Sequence, residues 1–402
     1  MAGRAEPAHR EVSGRNRPPV RGVRRRIGLK GGGKVTSRER LLAAMTRGKP
    51  DRLPIHIRGV RVWDEGWVES RHLSYRPVIE AVERHCDWVA SWSPSAGLFL
   101  TAARMDIRTE RIDLDERWAL IKSTVHTPKG PLTSIHQVSK TGMPGLRRKF
   151  WVESEEDLER FLSIPYVPPR PDVKAFFELE RRIGDRGIVM VGLSDPIAYV
   201  HDLLGSELLA IWSVERRDLV RMLVGIFAER LIDLVSYLLE SGVRGVYGFS
   251  GEEYVAPPLH SPRDFREFVA LPEKRIFDLI HSYGSLVHVH CHGRLKSVLD
   301  MFVEMGVDCL HPVEPPPLGD LTLREAKERL RGKVCIEGNI QIGDIYSEEP
   351  SRFEEKVKEV VLEGAEGGGF ILCPTASPHT PVLPRRAVEN YLAMIRIGLS
   401  LG

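Results

Sequence analysis

The 402-residue chain is short of cysteine and of aromatic residues, and it contains no long apolar run. Its five cysteines (Cys86, Cys291, Cys309, Cys335 and Cys373) are odd in number and widely spaced, which excludes a disulfide framework. None of them form a Cys-x-x-Cys pair, so zinc-finger and dithiol redox designs are excluded too. No stretch reaches the ~18 consecutive apolar residues that a membrane span requires. No membrane association is expected. The basic beginning lacks the apolar core of a secretory signal, so a cytoplasmic location is expected. No Gly-x-Gly-x-x-Gly follows a strand and no phosphate-loop motif occurs; Gly31-Gly32-Gly33 lies in a basic segment without periodicity. Nucleotide binding therefore has no support.

Charge is unevenly spread. Residues 1–35 carry ten Lys/Arg against two acids, a surplus of +8, so the remainder holds −5 of the overall +3. Residues 1–35 are expected to be a disordered basic tail, and nucleic acid is not the expected partner of the mildly acidic remainder. Residues 36–402 are expected to form one domain.

Alternation of strand and helix patterns organises that domain. Thr36 or Ser37 caps a helix to about Arg47, and Leu53–Ile57 reads as a first strand. Tyr75–His85 is a helix pattern and Cys86–Trp92 a strand. Residues 118–138 break the rhythm: two β-rich runs flank Pro128-Lys129-Gly130, a type II turn signature, and predict a β-hairpin excursion. From residue 172, strands near 187, 245, 286, 308, 333 and 369 alternate with helices, one of them a pair split around Leu204–Ser206. About eight βα units predict an α/β fold, a distorted (β/α)₈ TIM-like barrel, whose chemistry sits at the carboxyl ends of its strands.

One stretch stands out at such an end, Leu286–Gly293, with the sequence L-V-H-V-H-C-H-G. On a strand His288, His290 and His292 share one face while Val287, Val289 and Cys291 take the other. His290 and His292 are spaced to reach one ion, and neutral imidazole suits zinc. A third ligand would follow another strand: Glu253 first, Cys373 second, His379 after them. His288, deeper in the barrel, is expected to be structural. Arg58, with Arg61 and His56, crowds the first strand end, where a substrate carboxylate or phosphate would pair with it. Tyr254 and Tyr247 are candidates for pocket walls. Asn339, behind Gly338, could bond substrate or stabilise its turn. Asp195, before Pro196, is expected to cap a helix.

Several segments together resemble the uroporphyrinogen decarboxylase superfamily. They are T-S-R-E-R-L-L-A-A-M with P-D-R-L-P (36–54), V-H-T-P-K-G-P-L-T (125–133), G-E-E-Y-V-A-P-P (251–258), V-H-V-H-C-H-G (287–293), E-P-P-P-L-G-D (314–320), E-G-N-I (337–340) and G-G-F-I-L-C-P (367–374). The resemblance implies a distorted (β/α)₈ barrel and an enzyme. It also implies one of two activities: decarboxylation of a tetrapyrrole carboxylate, or zinc-dependent methyl transfer between a corrinoid and a thiol. The decarboxylases carry an Arg-rich N-terminal segment; here that stretch is I-H-I-R-G-V-R (55–61). The methyltransferases carry His-x-Cys-Gly and a late Cys; here the first is His290-Cys291-His292-Gly293, and Ala376 stands at the second.

With the strand-end histidines as a metal site, the resemblance implies a metal-dependent methyltransferase. His290, His292 and Glu253 would act in catalysis and hold zinc with Cys373 in reserve. Arg58, His56, Tyr254 and Asn339 would bind a small-molecule substrate, and a corrinoid protein partner would supply the methyl group. The alternatives are a metal-free decarboxylase of uroporphyrinogen-like substrates in porphyrin biosynthesis, with the histidines moving protons, and a non-enzymatic corrinoid or porphyrin-binding protein.

Overall fold

The computed structural model describes residues 35–402; the predicted tail lies outside them, apart from Val35. The strands are β1 (Trp88–Trp92), β2 (Asp106–Asp113), β3 (Trp118–Thr127), β4 (Gly130–Ser139), β5 (Leu146–Lys149), β6 (Gly187–Ser194), β7 (Val246–Ser250), β8 (Leu286–His290), β9 (Cys309–His311), β10 (Cys335–Ile340) and β11 (Phe370–Pro374). Seven of them form a parallel sheet in the order β1-β6-β7-β8-β9-β10-β11, and β2-β3-β4-β5 form a separate antiparallel sheet.

The expected eighth strand, Leu53–Ile57, is reduced to a single bridge between Ile55 and Leu372. Its backbone still spans the gap between the last strand and the first. His56 N–H donates to Leu372 O at 2.9 Å, Leu372 N–H to Pro54 O at 2.9 Å, and Asp87 N–H to Ile55 O at 2.8 Å. Pro54 has no N–H to give, which shortens the ladder at this position. The result is the distorted barrel that the alternating pattern predicts. Strand residues such as Val89, Ile188, Val246, Leu286 and Ile371 are buried beneath the first helix, Ser37–Met45, which closes the amino-terminal end. That helix starts where expected, with a capping box between Thr36 and Glu39.

One expectation about local structure holds and one is corrected. The pair of helices is split where expected: within Pro196–Glu215 the backbone leaves the helical region at Gly205, with φ 76° and ψ 167°; Phe150 lies where a Cβ on Gly205 would stand, so the break accommodates an aromatic ring. This is also the one described helix long and apolar enough to cross a membrane by length and composition, and it packs on the helix Arg217–Glu240. The hairpin of residues 118–138 exists, but its two-residue connection is Pro128-Lys129. The positive φ of 121° falls on Gly130, which pairs with Thr127, instead of inside the turn. The hairpin also gains a neighbour on each side, β2 and β5. Strand β2 is exposed along its whole length, so it has no apolar face to signal it in the sequence.

Candidate functional site

Parallel register lines polar groups up at the strand ends. Ser194 pairs with Ser250, Ser250 with His290, and His290 with His311, so β6 to β9 present one row on one face of the sheet. One layer down, Gly192, Gly248 and His288 form the next row. The two glycines contribute no side chains, which lets Met190 pack over Gly248 and Ser93 over Gly192. A cavity of about 330 Å³ results, lined by Arg58, His288, His290, the serines 91, 93, 194 and 250, Tyr199, and apolar Met190, Leu193 and Phe249. A second cavity of about 260 Å³ shares Arg58, Ser91 and Met190 with it and adds His56, Arg61 and Ser377.

Hydrogen bonds fix the tautomers of the two central histidines. His311 Nε2 lies 3.0 Å from the carbonyl of Pro374, which can only accept, so this nitrogen carries the proton. In the neutral ring His311 Nδ1 is then an acceptor. It faces His290 Nδ1 at 2.7 Å, so that atom donates. His290 is left with an unprotonated Nε2 that has no hydrogen-bond partner among the described residues. Burial first, and then the positive charge of Arg58, push both rings well below the usual imidazole range and keep them neutral. His292 Nδ1 lies 3.1 Å from Glu314 Oε2. Burial raises the Glu314 carboxyl, but its contacts with His292 outweigh that and hold it below its ordinary value. The rings of His290 and His292 stand 4.7 Å apart and nearly perpendicular.

Behind this row lies a fully buried carboxylate, Glu337 on β10. Its Oε1 accepts from His56 Nδ1 at 2.5 Å and its Oε2 from His288 Nε2 at 2.7 Å. Burial opposes the charge, but the two imidazoles outweigh it and hold Glu337 well below the usual carboxylate range. Cys373 Sγ lies 3.7 Å from His56 Nδ1.

The predicted site residues thus fall in several places. Arg58, His56, His288 and His290 border the two cavities, and His292 stands at the rim beside His290. Glu253 accepts the backbone N–H of Gly251 at 3.2 Å, and Cys373 belongs with His56 and Glu337. Neither makes a hydrogen bond or ion pair with His290 or His292 among the described residues. Tyr254 stacks on His201 with ring centroids 3.7 Å apart. Tyr247 is a core residue whose hydroxyl donates to Val243 O. Asn339 donates to Val313 O at 3.2 Å and lines an outer groove instead of the barrel cavity. His379 stacks on Tyr346, and Asp195 caps its helix as expected, accepting from Ala198 N–H at 2.6 Å.

His311 and Glu314 were visible in the sequence only as polar residues near a strand end, and Glu337 likewise. Their roles depend on cross-strand register, which one strand's own sequence does not carry.

Among the described residues, three groups of His, Cys, Asp or Glu have ligand atoms within 4.8 Å of one another: His56/Glu337/Cys373, His288/Cys309/Glu337 and Asp195/Glu252/Glu273. The expected set of His290, His292, Glu253 and Cys373 is not one of these groups; what His290 and His292 share with metal-binding histidines is the state of their rings. Each ring ties its Nδ1 to a partner and leaves Nε2 without one, which is how a metal-binding histidine is usually held.

Comparison with known proteins gives the family and the fold. A family model described as uroporphyrinogen decarboxylase (URO-D) matches residues 144–397. Two curated proteins named methylcobamide:CoM methyltransferase MtaA, from Methanosarcina barkeri and its strain Fusaro, are 23% and 22% identical over 263 residues, which is 65% of this chain and 71% of each relative. The solved structure of a methyltransferase from Methanosarcina mazei shares the fold with a TM-score of 0.57 at 17% identity, covering 91% of this chain and 98% of that one.

Proposed function

The chain belongs to the uroporphyrinogen decarboxylase family, and on that premise we propose that it transfers a methyl group from a cobamide, carried by a partner protein, to a small anionic acceptor held at the strand ends. The observation that carries this reading is the pairing, on one cavity of about 330 Å³, of the Arg58 guanidinium, which makes no ion pair among the described residues, with His290, whose Nε2 is unprotonated. Arg58 binds the acceptor's anionic group. Met190, Leu193 and Phe249 keep water from the acceptor, and the serines orient it.

His290 and His292 would hold a zinc ion through their Nε2 atoms, with Glu314 fixing the His292 ring through its Nδ1. Glu253 and Cys373 enter only if their segments move toward it. A bound zinc would lower the pKa of an acceptor group so that it is nucleophilic at neutral pH. The imidazole Nδ1–H groups stay fixed on His311 and Glu314 throughout, which orients both rings. Residues 36–402 act as one domain in this reading. Five free thiols, all buried, support a reducing cytoplasmic setting.

The decarboxylase alternative needs many cations for a substrate bearing eight carboxylate arms. The two cavities offer Arg58 and Arg61, which favours a smaller acceptor. The test is demethylation of methylcobalamin, followed by its absorbance, across a panel of small anionic acceptors. Acceptor-dependent demethylation is expected. Turnover of a uroporphyrinogen without any cobamide requirement would overturn the reading, and tight cobamide binding without turnover would replace it with a carrier role.

A further inference from the structure

A second cluster, unused by the site above, lies behind the end of β8. Asp195 follows β6, Glu252 follows β7, and Glu273 lies in the helix Leu271–Ser282 that leads to β8. All three are 0% exposed. Asp195 Oδ1 caps its helix. The remaining five oxygens, Asp195 Oδ2 and both oxygens of Glu252 and Glu273, are buried and receive no hydrogen bond from any N–H or hydroxyl; their one side-chain contact is between the Asp195 and Glu273 carboxyls themselves. No ion pair reaches any of the three among the described residues. Glu273 comes from a helix, not a strand end, and lies close enough to Asp195 to share a proton with it; Glu252 is the further indication, a buried side chain aimed at that pair with neither oxygen bonded to another side chain.

A buried carboxylate without a partner costs several kcal/mol, so such a group is neutralised by a proton or by a cation. Burial, and then neighbouring carboxylates, raise Glu252 and Glu273 well above the ordinary range; burial pushes Asp195 up to about 8. Three acids from three elements are more than a shared proton needs. Their geometry also fits an ion: one oxygen of each lies within 4.8 Å of the others, and two oxygens bound to one calcium at ~2.3–2.6 Å are at most ~5 Å apart. Five free oxygens and no nitrogen or sulfur donor suit a hard cation. The backbone is pressed against the same spot. A Cβ on Gly251, whose φ is +131°, would lie 2.5 Å from Asp195 Oδ1.

We propose that Asp195, Glu252 and Glu273 hold a structural hard divalent cation of the calcium, manganese or magnesium class, which ties the ends of β6 and β7 to the helix before β8. The cation displaces the carboxyl protons to solvent as it binds. Cys291, buried at the end of β8, feels the charge of all three acids, so the ion stands behind the segment that carries His290 and His292 and braces it. It is a different site from the imidazole pair and draws on a different class of metal.

Metal analysis of the full chain, purified without chelator, tests this, together with thermal unfolding after chelation and readdition of calcium, magnesium or manganese chloride. About one equivalent of one of these ions is expected per chain. It should persist in a His290→Ala/His292→Ala variant and disappear in Glu252→Gln/Glu273→Gln. Readdition to the chelated parent should raise its unfolding midpoint by about 5 °C or more. The proposal falls if the parent carries none of these ions and none of them shifts its midpoint after chelation; the acids are then a proton-sharing trio. It falls equally if the double amide variant keeps its equivalent. The parent measurements decide the matter even where that variant does not fold, and none of them depends on methyl transfer.

Discussion

His290 Nδ1 faces His311 Nδ1 across 2.7 Å, and one proton serves that contact, so the two neutral rings hold opposite tautomers. The carbonyl of Pro374 decides which is which by demanding the proton of His311 Nε2. A backbone carbonyl on β11 thereby sets which nitrogen of a β8 histidine is left without a proton.

Replacing His311 by Phe removes that control while His290 itself is kept. A fall of about 10–100-fold in kcat is expected, the range for loss of a partner that orients a functional histidine, with the KM for the acceptor little changed. Steady-state kinetics with methylcobalamin distinguishes this from misfolding, which would lower the active fraction and leave kcat per active site unchanged.

Arg58→Ala should raise the acceptor KM by about 10–100-fold, the worth of one charged hydrogen bond at ~1.5–3 kcal/mol, and leave the cobamide KM unaltered. Arg58→Lys should recover only part of the loss, because a point charge replaces a planar fork. An equal effect on both substrates would mean that Arg58 does not bind the acceptor.

Zinc content should fall from about one equivalent to none in a His290→Ala/His292→Ala double variant, and Cys373→Ser should keep it. Unchanged zinc in the double variant would assign the ion to the His56, Glu337 and Cys373 group instead.

Stability should depend on Asp308, at the amino-terminal end of the barrel. Burial acts to raise its carboxyl, but His281, Arg47 and the N–H of Val287 outweigh that and hold it below the ordinary range. A depressed carboxylate stabilises the fold in full above its unfolded value of about 4, and the contribution is lost as pH falls through the depressed one. Asp308→Asn should cost about 3 kcal/mol at neutral pH and flatten the acid limb of the urea-unfolding midpoint against pH. A variant that keeps the parent's acid dependence would show that another carboxylate governs it.

Period and punctuation in the sequence were enough to read the barrel. Buried strands between amphipathic helices, the Thr36 cap and the Pro128–Gly130 hairpin are local signals, set by the side-chain spacing of one segment at a time. His288, His290 and Arg58, all singled out from the sequence, line one cavity. Tertiary structure decided what these groups face. His290 meets His311 because β8 and β9 pair in parallel register; Glu337 collects His56 from the far side of the sheet closure; and Asp195, Glu252 and Glu273 meet behind Cys291 although 78 residues separate the first from the last. A sequence fixes which face of its own strand a side chain takes, through a two-residue repeat. Which partner that face meets depends on inter-strand register and helix packing, whose energies come from residues far along the chain.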